Sequence, residues 1–188
     1  MDRAYLDYNA SAPLRSEARQ AMVQAMDCVG NPSSVHAEGR AAKAILERAR
    51  EQIAQALGAQ GADIIFTSGA TEAAGLALHG RAFSCADVEH EAVRAWCKTD
   101  LSIDKQGHIT VHEPERSAVQ LANSETGILQ TLPKGVAVCD MTQAFGKLPV
   151  AFNWTGAQMG LISAHKIGGP KGIGALVIKR GTELAAQI

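Results

Sequence analysis

The chain has 188 residues, enough for one domain or for one and a small part of another. Hydrophobic residues at 46% can build a core, and a formal charge of −1 with aromatics at 4% argues against nucleic-acid or membrane-surface binding. No neutral apolar run is long enough to span a bilayer, and the start, Met1-Asp2-Arg3-Ala4-Tyr5, has no apolar signal region, so the expected address is cytoplasmic.

An amphipathic helix is predicted over 16–26, after Pro13, with Ser16 as its candidate cap. A second runs over 39–57, where Ala42, Ile45, Leu46, Ala49, Ile53 and Leu57 recur at helical spacing and Gly58 supplies a stop. Residues 63–67 form a β-rich run. The turn Ser68-Gly69-Ala70-Thr71-Glu72 then opens an alanine- and leucine-rich helix over 73–79. Short strands follow at 118–122, 136–139, 160–163 and 175–178, each ending near polar residues, as where strand ends line a ligand crevice. The expected fold is α/β, a mostly parallel sheet flanked by helices. Residues 130–135 are too few for a crossover helix between two of these strands. Cys28, Cys85, Cys97 and Cys139 form no Cys-x-x-Cys pair and are expected as reduced thiols.

Four places carry chemistry. In Ser163-Ala164-His165-Lys166-Ile167-Gly168-Gly169, a lysine follows an apolar strand among serine, histidine and glycines, the setting in which an amine becomes a Schiff-base nucleophile. An ordinary glycine turn fits that stretch equally well when it is taken alone. The 68–72 turn offers a helix N-terminus and the Thr71 hydroxyl to a phosphate, or simple capping by Ser68 or Thr71. Asp140 ends an apolar strand, where a carboxylate needs a partner such as a protonated pyridine nitrogen, or it caps the following segment. His90 is either structural or placed to stack on a cofactor ring and move protons.

Metal sites are not expected. His90-Glu91-Ala92-Val93-Arg94 lacks the final histidine of the zinc-protease pattern, and His108 and His112 flank a strand-like Ile109-Thr110-Val111. The glycines of 168–174 do not follow the dinucleotide fingerprint.

In order along the chain, Tyr5-Leu6-Asp7-Tyr8-Asn9-Ala10, Gly30-Asn31-Pro32-Ser33-Ser34-Val35-His36, Phe66-Thr67-Ser68-Gly69-Ala70-Thr71-Glu72, Glu89-His90, Asn123-Ser124-Glu125-Thr126-Gly127, Asp140-Met141-Thr142-Gln143 and Ser163-Ala164-His165-Lys166 resemble the cysteine desulfurases of the class V aminotransferase family. The resemblance implies pyridoxal 5'-phosphate (PLP) on Lys166, His90 stacked on its ring, Asp140 at the ring nitrogen and Gln143 at the phenolic oxygen. It further implies phosphate contacts from Ala70, Thr71, Ser163 and His165, and substrate bordered by Asn31 and His36. Ser124 stands where the family usually has an asparagine that contacts PLP, with Asn123 beside it as a substitute. The implied reaction takes sulfur from L-cysteine as an enzyme persulfide and leaves alanine, supplying iron–sulfur cluster assembly or other sulfur transfer. A homodimer and a sulfur-acceptor protein are the implied partners. Selenocysteine lyase or aminotransferase chemistry, or a scaffold without catalysis, are the alternatives.

On the same resemblance, residues 1–188 correspond to the PLP-binding large domain. The second domain, with the sulfur-accepting cysteine, would lie beyond Ile188. Shortened segments between motifs are expected to remove helices and bare apolar surface.

Overall fold

The computed structural model describes residues 3–187. In chain order the elements are α1 (Ser16–Met26), α2 (Ala37–Ala56), β1 (Asp63–Thr67), α3 (Ala70–Leu78), β2 (Ser84–Ala86), α4 (Glu91–Arg94), β3 (Lys98–Leu101), β4 (Ala118–Gln120), β5 (Val138–Asp140), α5 (Phe152–Thr155), β6 (Met159–Ser163) and β7 (Gly174–Ile178). The main sheet has the order β1-β7-β6-β5-β4, and β2-β3 form a parallel pair joined to the start of β4 by a parallel Ser84–Ser117 bridge. β7 alone among these strands runs opposite to the rest, so the sheet is mainly parallel as expected.

This arrangement decides where a site can form. β1, β4, β5 and β6 all end on one edge of the sheet, and β7 begins there. Gln120 is level with Asp140, Asp140 with Leu161, and Ser163 with Gly174, which in turn faces Thr67. Polar residues at these ends therefore converge without any long excursion of the chain.

α3 packs on this sheet because its buried face is small. Ala73, Ala74, Ala77 and Leu78 are fully buried against Leu161 and Leu176, and the alanines let helix and sheet approach closely. Burying Leu78 contributes about 1.5–3 kcal/mol. On the other face, Leu57, Ile64, Val119, Val136, Phe152 and Val177 form a second cluster. The Phe152 N–H donates to the Leu57 carbonyl at 2.7 Å, tying the end of α2 to α5.

Several expectations are corrected. Ser16 is the first helical residue rather than the cap: Arg15 holds the cap position, and the Ser16 hydroxyl donates to Glu17. α2 starts at Ala37, and its predicted apolar face is partly bare, with Ile45 and Leu46 exposed. β2 and β3 carried no readable strand signal, β2 for brevity and β3 because Lys98, Thr99 and Asp100 are exposed. The connections from β3 to β4 and from β4 to β5 contain no α-helix, as their length implied. Apolar surface is only partly bared in the shortened segments: Ile109, Val111, Leu121 and Leu132 pack onto the second cluster, while Val88, Trp96 and Leu129 are exposed. All four cysteines are free.

Candidate functional site

A cavity of about 550 Å³ opens at the C-terminal edge of the sheet. Its walls include Ala70, Thr71, His90, Ser124, Asp140, Gln143, Ser163, His165 and Lys166, which are all of the residues expected to hold the cofactor.

The 68–71 turn reaches the cavity because Gly174 has no side chain. A Cβ there would stand 2.7 Å from the Gly69 backbone and 2.6 Å from the Ile162 carbonyl. The turn therefore lies directly on β7, and the N-terminal residues of α3, where a helix leaves N–H groups unpaired, line the cavity together with Ser163. Thr67 Oγ1 donates to the Gly69 carbonyl at 2.8 Å, and Glu72 folds back to accept the Ser68 N–H at 2.6 Å. Neither Ser68 nor Thr71 caps α3 by its side chain; Gly69 occupies the cap position.

Lys166 follows β6 in a half-buried turn. Its Nζ donates to the carbonyls of Asn9 at 2.5 Å and Ala10 at 3.1 Å. The N-terminal segment straps this loop down: Ala12 N–H donates to the His165 carbonyl at 2.8 Å and Arg15 N–H to the Gly168 carbonyl at 2.9 Å. Gly168 is required for the strap. Its φ is +83°, and a Cβ would meet the Arg15 side chain at 2.6 Å.

Positive charge gathers on this side. Desolvation, then Lys166 and Lys171, push the His165 pKa below its ordinary value, and desolvation with the Lys166 charge does the same to Lys147. His165, Lys166 and Lys171 line the cavity together with the α3 N-terminus and the Ser68, Thr71 and Ser163 hydroxyls. An anion placed there would relieve the repulsion, so the donor set fits a phosphate.

Asp140 also lines the cavity, its Oδ1 accepting the Thr142 N–H at 2.9 Å. Thr142 also lines the cavity, but its hydroxyl oxygen is buried out of solvent contact and without a hydrogen-bond partner. His90 caps α4, its Nδ1 accepting the Ala92 N–H at 3.1 Å. Gln143 Nε2 donates to the Asn9 carbonyl at 3.1 Å.

Three readings change. Asn31 and His36 do not line this cavity: Asn31 Oδ1 accepts the Ser33 N–H at 2.9 Å, and His36, just before α2, pairs through Nδ1 with Glu38 Oε2 at 2.9 Å. Asn123 is no substitute for an asparagine at position 124. Its amide is spent holding its own turn and the Val88 carbonyl, leaving Ser124 alone at the cavity wall. Asn9 was missed as a site residue. Besides receiving Lys166 and Gln143, it donates from Nδ2 to the Ser124 carbonyl at 3.1 Å and accepts from Lys147 Nζ at 3.2 Å. No sequence pattern signals this, because its partners come from distant segments.

A mainly parallel α/β sheet with a half-buried lysine and a helix N-terminus at one edge, facing a strand-end aspartate, defines a fold of the PLP-dependent transferase kind. The family described as "Aminotransferase class-V" matches residues 4–187, and the chain belongs to it. It is 35% identical over 96% of its length to "Cysteine desulfurase IscS" of Dictyoglomus turgidum, covering 55% of that protein. It is 36% identical over 93% of its length to "Putative cysteine desulfurase NifS" of Bacillus subtilis, covering 53%. The chain thus spans about half the length of these curated relatives. Among solved structures, a NifS-like protein from Rickettsia africae superposes with a TM-score of 0.86 at 29% identity, covering 98% of this chain and 60% of that one. SspA in complex with cysteine superposes with a TM-score of 0.87 at 28% identity, covering 99% and 65%.

Proposed function

We propose that the cavity binds PLP through Lys166 and acts on L-cysteine, as the PLP-binding part of a cysteine desulfurase. The observation that carries this reading is the grouping around one cavity of an amine, a strand-end carboxylate, an imidazole and a cationic cradle. Relatives point to the same substrate: several are called cysteine desulfurases, and SspA was solved with cysteine.

Bound PLP supplies an aldehyde for covalent attachment to amines and a pyridine ring that draws electrons from the substrate. Lys166 Nζ would be the covalent anchor and, when free, the base that takes and returns a proton. Asp140 would accept the ring N–H, an arrangement that keeps the ring cationic. His90 would lie against the ring face. Gln143 and Ser124 would meet its oxygen. The α3 N-terminus with Thr71, Ser163 and His165 would hold the phosphate.

None of the residues lining the cavity is a cysteine. Sulfur transfer from the substrate therefore needs a thiol brought from elsewhere in a longer protein, a second subunit or an acceptor protein. A homodimer is part of this reading, supported by exposed Leu6, Met26, Val29 and Val35 in the N-terminal region, which cover no core in one chain. The test is to incubate PLP-loaded protein with L-cysteine and a thiol acceptor and to measure sulfide and alanine together. Equal amounts of both support desulfuration; pyruvate or an amino-group transfer product in their place points to another class V reaction.

A further inference from the structure

Glu89 is a buried acid that the cofactor reading leaves without a task. It is 3% exposed; Oε1 accepts the Gln120 N–H at 2.8 Å, and Oε2 is buried with no hydrogen-bond partner. The Gln120 bond stands in for a strand. The Ser117 carbonyl and Leu121 N–H both bond toward β5, so by alternation Gln120 N–H points to the other edge of β4. β2, which starts beside that edge, has already ended at Ala86. The Glu89 carboxyl takes the vacant position.

The segment around it is pinned equally firmly. The Val88 carbonyl accepts Gln120 Nε2 at 3.1 Å and Asn123 Nδ2 at 3.0 Å. The next residue, His90, lines the cavity, and Gln120 is level with Asp140 across β4 and β5. We propose that Glu89 is a positioning residue of the cofactor cavity: a buried neutral acid, protonated on Oε2, that completes the β4 edge at Gln120 and thereby fixes His90 at the cavity wall.

The surroundings favour the neutral form. Burial raises the Glu89 pKa well above its ordinary value against the opposing Gln120 N–H bond, and the Asp140 charge raises it further. Two thiols also lie near this carboxyl: the hydrogen bond with Cys85 lowers the Cys97 pKa against burial and Glu89, and burial, then Asp140 and Glu89, raise that of Cys139. A second buried anion beside Asp140 would compete with the charge that Asp140 needs.

The role in placing His90 deepens the PLP reading and rests on it; the protonation state and the Gln120 bond do not. Infrared difference spectra of the full chain without cofactor, against Glu89→Gln near neutral pH, should show a carboxylic-acid carbonyl band that shifts in D2O. A carboxylate band in its place overturns the proposal. Amide exchange at Gln120 should quicken about tenfold or more in Glu89→Ala and in the shorter, milder Glu89→Asp, and stay near the parent rate in Glu89→Gln. With PLP bound, the dichroism of the cofactor band should be kept by Glu89→Gln and reduced in Glu89→Asp. Unchanged exchange and dichroism in Glu89→Asp would refute the positioning role. A parent chain that shows no cofactor band at all speaks against the PLP reading instead, and the infrared and exchange results still decide whether Glu89 is the neutral edge-completing acid.

Discussion

Lys166 and Asn9 stand 157 positions apart and meet at 2.5 Å, the lysine Nζ donating to the asparagine carbonyl. Through this contact the first turn of chain and the loop after β6 become one wall of the cavity. The Asn9 side chain extends the wall by reaching the Ser124 carbonyl. Asn9→Ala removes that reach and one of the two acceptors of Lys147, the other being Gln143 Oε1. The expected cost is about 0.5–1.5 kcal/mol in urea unfolding, with faster amide exchange in residues 8–15. Unchanged exchange there would show that the strap does not depend on Asn9.

Asp140→Ala should weaken PLP binding about tenfold to a hundredfold, since a charge-assisted bond is worth roughly 1.5–3 kcal/mol. Fold stability should move little, because Asp140 is only half-buried at the end of β5. Spectrophotometric titration with PLP measures the first quantity and thermal unfolding without cofactor the second.

Gly174→Ala tests the close approach of the 68–71 turn to β7. The added Cβ meets backbone at 2.6–2.7 Å on both sides, so the turn must lift. A loss of roughly 1–3 kcal/mol in stability is expected. A weaker affinity for PLP than for phosphate-free pyridoxal relative to the parent is expected too, since the phosphate cradle is what moves. Equal losses for both ligands would place the damage elsewhere.

The raised Glu89 pKa gives a pH dependence with a definite sign. In the window above the unfolded carboxyl value, the folded chain holds a proton that the unfolded chain has released. Its contribution is therefore full at acid pH and is lost, by about 1.4 kcal/mol per pH unit, as pH rises toward the folded value. Glu89→Gln has no such proton. The stability difference, variant minus parent, should grow in the variant's favour as pH rises from about 4.5, the ordinary carboxyl value. Paired urea titrations across pH measure it; a flat difference contradicts the assignment.

Much of this site was legible in the sequence because its residues sit at strand ends and tight turns. Lys166 after β6, Asp140 at the end of β5 and the 68–72 turn after β1 are all fixed by apolar runs that stop at a polar residue. A parallel sheet then brings those ends together without further instruction. Contacts made by distant segments were not legible. Asn9 reaches Lys166, Gln143 and Ser124 only after the chain has folded, and the place of Asn123 depends on a turn that consumes its amide. β3 was unreadable because an exposed strand such as Lys98-Thr99-Asp100 has no apolar alternation to show. Asn31 and His36 mark the start of α2, where their local bonds form, and the cavity lies elsewhere.

One amine, Lys166 Nζ, carries the proposed cofactor attachment. Incubating the chain with PLP, reducing with borohydride, digesting and sequencing the modified peptide by mass spectrometry locates any covalent attachment directly. The expected result is a single pyridoxyl adduct on Lys166, absent in Lys166→Ala. Labelling spread over Lys147, Lys171 and surface lysines, or an adduct that survives in Lys166→Ala, would contradict it.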